Sequence, residues 1–293
     1  MFVDVPDNLV ATASSPSCLA CTHGRPKLPW EITMKYRDQC TPTIGRNRRR
    51  RRWLRAVAYG RLRLTILLVV GGLGLAQAET LPLPDGLIAL DSEQGQRLFF
   101  AGDANRAYFP LALHFVTQDH PAFCGPASIA MVLNALHVPR PPSKSTLGLG
   151  LYDQENIFDA RSEAIKARSA IMQAGMTLDE LGAILAAHDL KVVVHHARDS
   201  SLDEFRRLAV TELKGNERFV LVNYLRSAIR QSSMGHISPL AAYEKDGDRF
   251  LILDVSRYKY PPVWVEAAAL FAAMNTVTKD GDNKTRGYLI VGR

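Results

Sequence analysis

The sequence predicts an α+β fold, in which a helical N-terminal half is followed by a C-terminal half built on an antiparallel β-sheet. Apolar residues recur with helical spacing between residues 125 and 188, whereas several stretches after 190 are runs of β-branched or aromatic residues. Two of these runs flank the charged, glycine-containing segment 244–248, which is typical of a hairpin turn. The hairpin indicates that at least part of the sheet is antiparallel.

The clearest predicted helix runs from Gly125 to Leu136, where the apolar residues have helical rather than alternating spacing. Pro126 suits its first turn, because the backbone N–H that proline lacks has no partner there. Thr177 and Glu180 fit a capping box at the start of another helix, and Ser201 marks the start of a further one. The predicted helices span residues 125–136, 161–174, 177–188 and 201–213.

Five strands are predicted from short runs rich in Val, Ile, Leu, Phe and Tyr. Because segment 244–248 joins the third run to the fourth, we expect these two strands to lie side by side. The predicted strands span residues 191–195, 218–224, 237–243, 249–254 and 287–291.

Positive charge is concentrated in the first 78 residues, which hold 13 of the 36 Lys and Arg but only 4 of the 29 Asp and Glu. Residues 79–293 therefore hold 23 basic and 25 acidic residues, a net charge of −2. A nucleic-acid-binding domain concentrates positive charge on its own surface. The distribution thus argues against a nucleic acid partner, although the whole chain has a net charge of +7.

Residues 1–78 are predicted to be a targeting leader. A basic cluster at 46–52 precedes an apolar run at 64–75, which is too short to span a bilayer comfortably and is followed by Ala76-Gln77-Ala78. We expect cleavage after Ala78, export, and a periplasmic location for a single domain at 79–293. The alternative is an uncleaved leader that anchors the protein and forms its only contact with the membrane.

Two details of the leader stay open. Arg50-Arg51-Arg52 resembles a twin-arginine signal, so the pattern fits either the Sec or the twin-arginine export route. Met34 is an alternative start to Met1, and translation from it gives a leader of more ordinary length.

Cysteine usage singles out one thiol. Cys18, Cys21 and Cys40 lie in the leader, and the spacing of the first two has no second half that would complete a metal or redox motif. After cleavage only Cys124 remains, so an exported protein has no partner for an internal disulfide. Cys124 is therefore either a buried inert residue or a reactive one.

The position of Cys124 favours reactivity. A thiol in the first turn of a helix feels the positive end of the helix dipole, which lowers the thiol pKa and favours the nucleophilic thiolate. The backbone N–H of Cys124 points toward the same region and can donate to a developing oxyanion. The side-chain amide of Gln118, six residues earlier, can supply a second donor.

A histidine and an aspartate complete a candidate catalytic triad. His236 follows a loop of small residues and begins a predicted strand, while Asp254 ends the strand across the hairpin. Pairing of these strands brings the two side chains together, so that Asp254 can fix the tautomer of His236 and stabilise the imidazolium. Taken singly, a histidine is usually structural and an aspartate at a strand end is usually a cap, so the case depends on the combination.

The other histidines form no competing metal site. His195 and His196 are adjacent and point to opposite faces of a strand. Metal-ligand spacing is also absent from four further histidines after residue 78, and we therefore predict no metal site. These four are His114, His120, His137 and His188.

Three segments carry a resemblance to a known family. The first, from Gln118, reads Gln-x5-Cys-Gly-x-Ala-Ser-x3-Val-Leu-Asn-Ala-Leu; the second is Gly-His-Ile-Ser-Pro at 235–239. The third, at 252–264, reads Ile-Leu-Asp-Val-Ser-Arg-Tyr-Lys-Tyr-Pro-Pro-Val-Trp, and Arg-Gly-Tyr-Leu-Ile at 286–290 also fits. These segments resemble phytochelatin synthase over residues 90–293, in the same order and spacing.

The resemblance implies a papain-like fold, a triad of Cys124, His236 and Asp254, and an oxyanion role for Gln118. It also implies substrate contacts by Gly235, Arg257 and Arg286, with Arg286 at the γ-glutamyl end of glutathione.

Family members cleave the Cys–Gly bond of glutathione, release glycine, and pass the γ-glutamylcysteinyl group to water or to a second glutathione. The resemblance therefore implies glutathione and related thiol peptides as partners. No bound cofactor is expected, and a heavy-metal ion such as cadmium enters only within a metal–glutathione thiolate substrate. A homodimer is compatible with the pattern.

The chain ends at Arg293, without the cysteine-rich second domain of plant members, so we expect the short form in which hydrolysis to γ-Glu-Cys dominates. Two alternatives remain. An exported peptidase similar to bacteriocin leader peptidases shares the glutamine–cysteine spacing but is disfavoured by the segment 252–264. A non-catalytic thiol- or metal-binding protein would have no reason to keep Gln118 and all three triad residues.

Overall fold

The computed structural model describes residues 80–139, 150–278 and 283–293, which all belong to one compact unit. The predicted leader and its cleavage site lie outside the described residues. Within the described ranges, none of the helices is long and apolar enough to cross a membrane.

A single antiparallel sheet is the framework of the unit. Seven strands are found in the described part of the chain, in the spatial order β1-β6-β5-β4-β3-β7-β2. Predominantly buried Val, Ile, Leu, Phe and Tyr form β3, β4 and β7, so the centre of the sheet is the centre of the core. The strands are β1 (Ile88–Ala89), β2 (Lys191–His196), β3 (Arg218–Leu225), β4 (Gly235–Glu244), β5 (Arg249–Ile252), β6 (Val263–Glu266) and β7 (Gly287–Gly292).

Helices surround this sheet. Two short 3₁₀ turns, at Ala197–Asp199 and Arg226–Ile229, follow β2 and β3. The α-helices of the described residues are α1 (Glu93–Ala101), α2 (Tyr108–Leu113), α3 (Cys124–Ala135), α4 (Ala160–Ile165), α5 (Arg168–Ala174), α6 (Leu178–Ala187), α7 (Leu202–Leu213) and α8 (Ala267–Met274).

Helix α3 is the central helix of the fold. Every one of its residues is buried, and it packs against β4. The Ser128 hydroxyl donates to the carbonyl of Ile237 at 3.3 Å, which fixes α3 against the strand that begins at Gly235.

The α+β prediction and the order of its halves are confirmed. The capping box is present, with the Thr177 hydroxyl accepting from the Glu180 N–H and the Glu180 carboxylate accepting from the Thr177 N–H. Ser201 caps α7, and β4 and β5 form the predicted hairpin. The sequence therefore located the elements whose signals are local.

The prediction of one helix over 161–174 is wrong. The chain forms α4 and α5 instead, because Lys166 and Ala167 both have extended backbones. The extended Lys166 places its ammonium 2.9 Å from the Glu180 carboxylate, a contact between distant segments that the local pattern did not reveal. The strand predicted to reach residue 254 ends at Ile252, and β1, β6, α1, α2 and α8 were not predicted.

Candidate active site

Three separate elements bring Cys124, His236 and Asp254 together. Cys124 is the first residue of α3, His236 is the second residue of β4, and Asp254 lies two residues beyond β5. The His236 Nε2 is 2.9 Å from the Asp254 Oδ1, and the Cys124 thiol hydrogen-bonds to the His236 ring. Because Nε2 faces Asp254, Nδ1 is the ring nitrogen left for the thiol. The contacts therefore have the order of a catalytic triad.

The electrostatics favour a thiolate–imidazolium pair. Burial raises the pKa of Cys124, but the hydrogen bond and charge of His236 outweigh it, with help from the Ile237 backbone and Arg226, so the thiol pKa is lowered. Burial lowers the pKa of His236, but the charge of Asp254 outweighs it, and the net pKa is raised. A lowered thiol pKa beside a raised imidazole pKa is the condition under which the nucleophile is ionised before substrate arrives.

Asp254 is a fully buried carboxylate whose Oδ1 accepts three hydrogen bonds. Besides His236, the donors are the Arg226 Nη2 at 2.7 Å and the Ser256 backbone N–H at 2.8 Å. Burial by itself raises the pKa of Asp254, but the charges and hydrogen bonds of His236 and Arg226 hold it well below its usual range. Asp254 therefore stays ionised and stabilises the positive charge on His236.

The sequence patterns did not indicate Arg226, whose guanidinium is a second positive group beside Asp254. Its side chain is only 2% exposed, donates to the Gln231 Oε1, and lies over the Tyr260 ring at 5.2 Å from the centroid. An arginine just after a strand normally faces solvent, so no local signal indicated that this one is buried. The Arg226 charge balances Asp254, which would otherwise be a buried carboxylate paired only with a titrating histidine.

Two further side chains orient the His236 ring. The Ser238 Oγ lies 3.0 Å from its Nε2 and accepts from the Val255 N–H at 3.4 Å. Tyr224, directly opposite His236 in the β3–β4 register, packs against the ring edge-to-face with centroids 5.7 Å apart. These contacts restrict the rotation of the imidazole between the thiol and Asp254.

Gln118 lies in the loop before α3, and its amide bonds to carbonyls of that same loop. Its Nε2 donates to the carbonyls of His120 at 2.8 Å and Pro121 at 2.9 Å. Its backbone N–H donates to Val255, which joins the loop to the segment after Asp254. In this arrangement Gln118 shapes the loop, and its donation to an oxyanion stays a prediction that requires one of these bonds to be exchanged.

Cys124 and His236 line a cleft with a volume of about 570 Å³, a size common for small-molecule sites. Met176 closes one side, with its Sδ so near Gly125 that a Cβ there would lie 2.4 Å from the sulfur. Glycine after the nucleophile therefore makes room for the wall of the cleft. Other lining residues include Pro121, Gln173, Asn223, Met234, Thr278 and Arg286.

Of the predicted substrate-binding residues, Gly235 and Arg286 line the cleft. The Arg286 Nη1 donates to the Thr276 Oγ1 at 3.0 Å and the Val277 carbonyl at 2.9 Å, and burial lowers its pKa. A Cβ at Gly235 would lie 3.3 Å from the Nη2, so glycine gives the guanidinium room. None of the ion pairs between described residues involves Arg286.

Arg257 is not among the residues that line the cleft, and instead lies over the Phe115 ring at 4.8 Å. Its predicted contact with substrate therefore has no support from this arrangement. Among the described residues, no group of three or more His, Cys, Asp or Glu is placed to hold a metal ion.

The comparisons with known proteins all indicate the same family. The sequence model of the phytochelatin synthase family matches residues 78–288. Glutathione γ-glutamylcysteinyltransferase 1 of Lotus japonicus is 35% identical over 73% of this chain and 42% of its own length. The enzyme named glutathione γ-glutamylcysteinyltransferase in Schizosaccharomyces pombe is 29% identical over 71% of this chain and 50% of its own length. The chain thus spans half or less of these relatives.

Proposed function

Since this chain belongs to the phytochelatin synthase family, we propose that it is a glutathione γ-glutamylcysteinyltransferase that forms an acyl-enzyme on Cys124. The observation that carries the proposal is the chain of contacts from the Cys124 thiol through His236 to the buried Asp254, at the surface of a cleft large enough for a tripeptide. The substrate is inferred from the names of the relatives, and the type of reaction is inferred from the side chains that line the cleft.

The first half of the reaction is acyl transfer to the enzyme. The Cys124 sulfur attacks the carbonyl carbon of the Cys–Gly peptide bond, and His236 holds the proton that the thiol gave up. As the tetrahedral intermediate collapses, His236 donates that proton to the glycine nitrogen and the C–N bond breaks. Glycine leaves, and the γ-glutamylcysteinyl group remains as a thioester on Cys124.

The second half releases the acyl group. Water, or the amino group of a second glutathione, attacks the thioester carbonyl while His236 takes a proton from the attacking atom. The C–S bond then breaks and the Cys124 thiolate is restored beside the imidazolium. Water gives γ-Glu-Cys, and the amine gives a chain longer by one γ-Glu-Cys unit. We propose that hydrolysis dominates.

The oxyanion of both intermediates requires hydrogen-bond donors near the start of α3. The backbone N–H of Cys124 is at the positive end of that helix, where a developing negative charge is stabilised. We assign the second donor to Gln118, with one of its Nε2 hydrogens moving from a loop carbonyl to the oxyanion when substrate binds. Gln118 is buried and its Nε2 bonds to carbonyls of the loop that leads to the nucleophile, which supports this role.

Arg286 is proposed to bind a carboxylate of the substrate. Its guanidinium lines the cleft beside Gly235, is oriented by Thr276 and Val277, and has no carboxylate partner among the ion pairs of the described residues. Burial lowers the pKa of Arg286, because loss of hydration disfavours the charged form. A bound carboxylate offsets that loss, and we assign this contact to the α-carboxylate of the γ-glutamyl end, which sets the direction in which glutathione lies.

The leader supports a proposal about location. We propose that residues 1–78 direct export, that cleavage follows Ala78, and that residues 79–293 act in the periplasm on thiol peptides, with detoxification of heavy metals as one role. N-terminal sequencing of protein recovered from the periplasmic fraction should give Glu79 as the first residue. Recovery of the intact leader in the membrane fraction would instead support an anchored form.

Incubation of the purified protein with glutathione, with and without cadmium, tests the reaction. Mass spectrometry should detect glycine and γ-Glu-Cys in both conditions, and (γ-Glu-Cys)2-Gly when cadmium converts glutathione to its thiolate complex. Absence of all these products, from folded protein whose Cys124 reacts with iodoacetamide, would overturn the proposed substrate. Cleavage of a peptide with a Gly-Gly motif would then favour a leader peptidase.

A further inference from the structure

The wall of the cleft that holds Arg286 is formed by residues 276–278 and 284–286, which pair with each other outside the main sheet. Val277 pairs with Thr285, the Thr278 N–H donates to the Lys284 carbonyl at 3.0 Å, and the Arg286 N–H donates to the Thr276 carbonyl at 2.9 Å. Further contacts connect the segment 284–286 to β2 and α6.

His196 supplies such a contact. It is the last residue of β2, its side chain is 15% exposed, and its Nδ1 lies 2.6 Å from the carbonyl of Thr285, the residue before Arg286. The next two backbone N–H groups reinforce the connection, since Ala197 donates to the Arg286 carbonyl at 2.9 Å and Arg198 to the Thr285 Oγ1 at 3.0 Å.

The other ring nitrogen of His196 reaches across to a helix. Its Nε2 lies 3.0 Å from the Oδ1 of Asp179, in the first turn of α6, three residues after the Met176 that closes the cleft near Cys124. One imidazole therefore connects the segment holding Arg286 with the helix that follows the opposite wall.

Both partners of this ring are hydrogen-bond acceptors. The Thr285 carbonyl accepts only, and so does the Asp179 carboxylate when ionised. Burial raises the pKa of Asp179, but hydrogen bonds from Lys284 and His196 outweigh it, so this carboxylate is ionised. The His196 ring lies between these two acceptors, so its removal takes one contact from each of them.

Charged groups approach this ring from the neighbouring elements. Asp179 faces it from α6, and the Lys284 ammonium lies 2.7 Å from the Asp179 Oδ2. Arg198 lies on the chain just after β2. The Asp179 carboxylate thus lies between the His196 ring and the Lys284 ammonium.

We propose that His196 is a positioning residue for substrate binding, whose ring fixes the segment 284–286 against α6. Removal of the ring breaks its contacts with Thr285 and Asp179, releases Arg286 from its position, and weakens the binding of glutathione. This inference rests on the proposed function, because that function assigns Arg286 to the substrate.

The neighbouring His195 is a matched control. It lies on the same strand with its ring stacked flat on Tyr288, at 4.7 Å and an interplanar angle of 9°. Replacing it removes a histidine from the same strand without touching the bridge between Thr285 and Asp179. An effect seen for His196→Gln but not for His195→Gln is therefore caused by loss of the contacts of His196 with Thr285 and Asp179.

Calorimetric titration of glutathione into the Cys124→Ala protein tests the inference. His196→Gln in that background should bind glutathione roughly two- to five-fold more weakly, the size expected for the loss of a partly exposed pair. His195→Gln should bind as tightly as its parent. Equal affinity of the His196→Gln protein and its parent overturns the proposal.

Hydrogen exchange provides a second measurement that needs no substrate. At one pH, the amides of Ala197 and Arg286 should exchange several-fold faster in His196→Gln than in the unsubstituted protein, and unchanged in His195→Gln. Equal protection in all three proteins overturns the proposal. Absence of glycine release by the unsubstituted protein defeats the proposed function instead, while exchange still decides whether His196 fixes Arg286.

Discussion

The two sides of the catalytic cleft hold their functional groups in different ways. Cys124 is carried by α3, a helix in which every residue is buried and whose backbone packs against β4. His236 and Asp254 come from the start of one strand and the loop after another, and depend on side-chain hydrogen bonds that converge on one carboxylate oxygen. The nucleophile is placed by backbone packing, whereas the base and its partner are placed by charge balance.

This difference separates reactivity from stability. On the helix side, a substitution that leaves the backbone conformation unchanged can abolish catalysis without affecting the fold. On the sheet side, buried charges at Asp254 and Arg226 support the base and the core together, so a substitution there should alter both. Variants on the two sides test this separation.

The largest effect is expected for Cys124→Ala. Loss of the nucleophile should reduce glycine release roughly 10⁶-fold, as in other triad enzymes, while the thermal midpoint changes little because the helix backbone is unaltered. Quantifying glycine by mass spectrometry and unfolding by circular dichroism checks both statements. Undiminished glycine release would end the covalent mechanism.

The second prediction compares two residues on the sheet side of the cleft, His236 and Asp254. His236→Ala removes the base, so the rate of glycine release should fall nearly as far as in Cys124→Ala. Asp254→Asn leaves the base in place but disturbs its tautomer and charge, so the rate should fall by about 10⁴-fold. The ratio of the kcat/KM values for glycine release measures the difference. Equal losses in the two variants would contradict the orienting role of Asp254.

Arg226→Met should affect both stability and the nucleophile. Breaking a buried pair leaves Asp254 less compensated and should lower the free energy of unfolding by about 3 kcal/mol. Because the charge of Arg226 lowers the pKa of Cys124, its removal raises that pKa, and the acid limb of the rate of Cys124 alkylation should move to higher pH. Urea titration and a pH series of iodoacetamide reaction measure the two effects.

A control for Arg226 is Arg97→Met, which removes an exposed i,i+4 pair with Glu93. It should cost only about 0.3 kcal/mol and leave the alkylation profile in place. A similar loss of stability in both variants would mean that the pair between Arg226 and Asp254 contributes no more than a surface contact.

The smallest effect on stability is expected at the start of α6, where no catalytic residue lies. Thr177→Ala removes the capping box of α6 and should lower the free energy of unfolding by about 1 kcal/mol, without changing the rate of Cys124 alkylation. Thr211→Ala, within α7, removes a hydroxyl that bonds only to the carbonyl of Arg207 and should not destabilise. Equal destabilisation would show that capping is not the cause.

Patterns that act over a few residues were predictable from the sequence. The capping box at Thr177 and Glu180 and the hairpin at 244–248 depend on neighbours in the chain, and the structure contains both. The break between α4 and α5 has no glycine or proline to mark it, since it goes with the contact of Lys166 to Glu180 on another helix. Local signals therefore located most elements but not that interruption.

The α+β class, the family and the candidate set of Cys124, His236 and Asp254 could be predicted from the sequence, because helix periodicity, a hairpin and family motifs lie in contiguous residues. The burial of Arg226 on Asp254, the bonds of Gln118 within its own loop, and the contacts of His196 with Thr285 and Asp179 became visible in the folded chain alone. Each of these depends on which distant groups share a low-dielectric interior, and burial with its hydrogen-bond partners is a property of the folded chain alone.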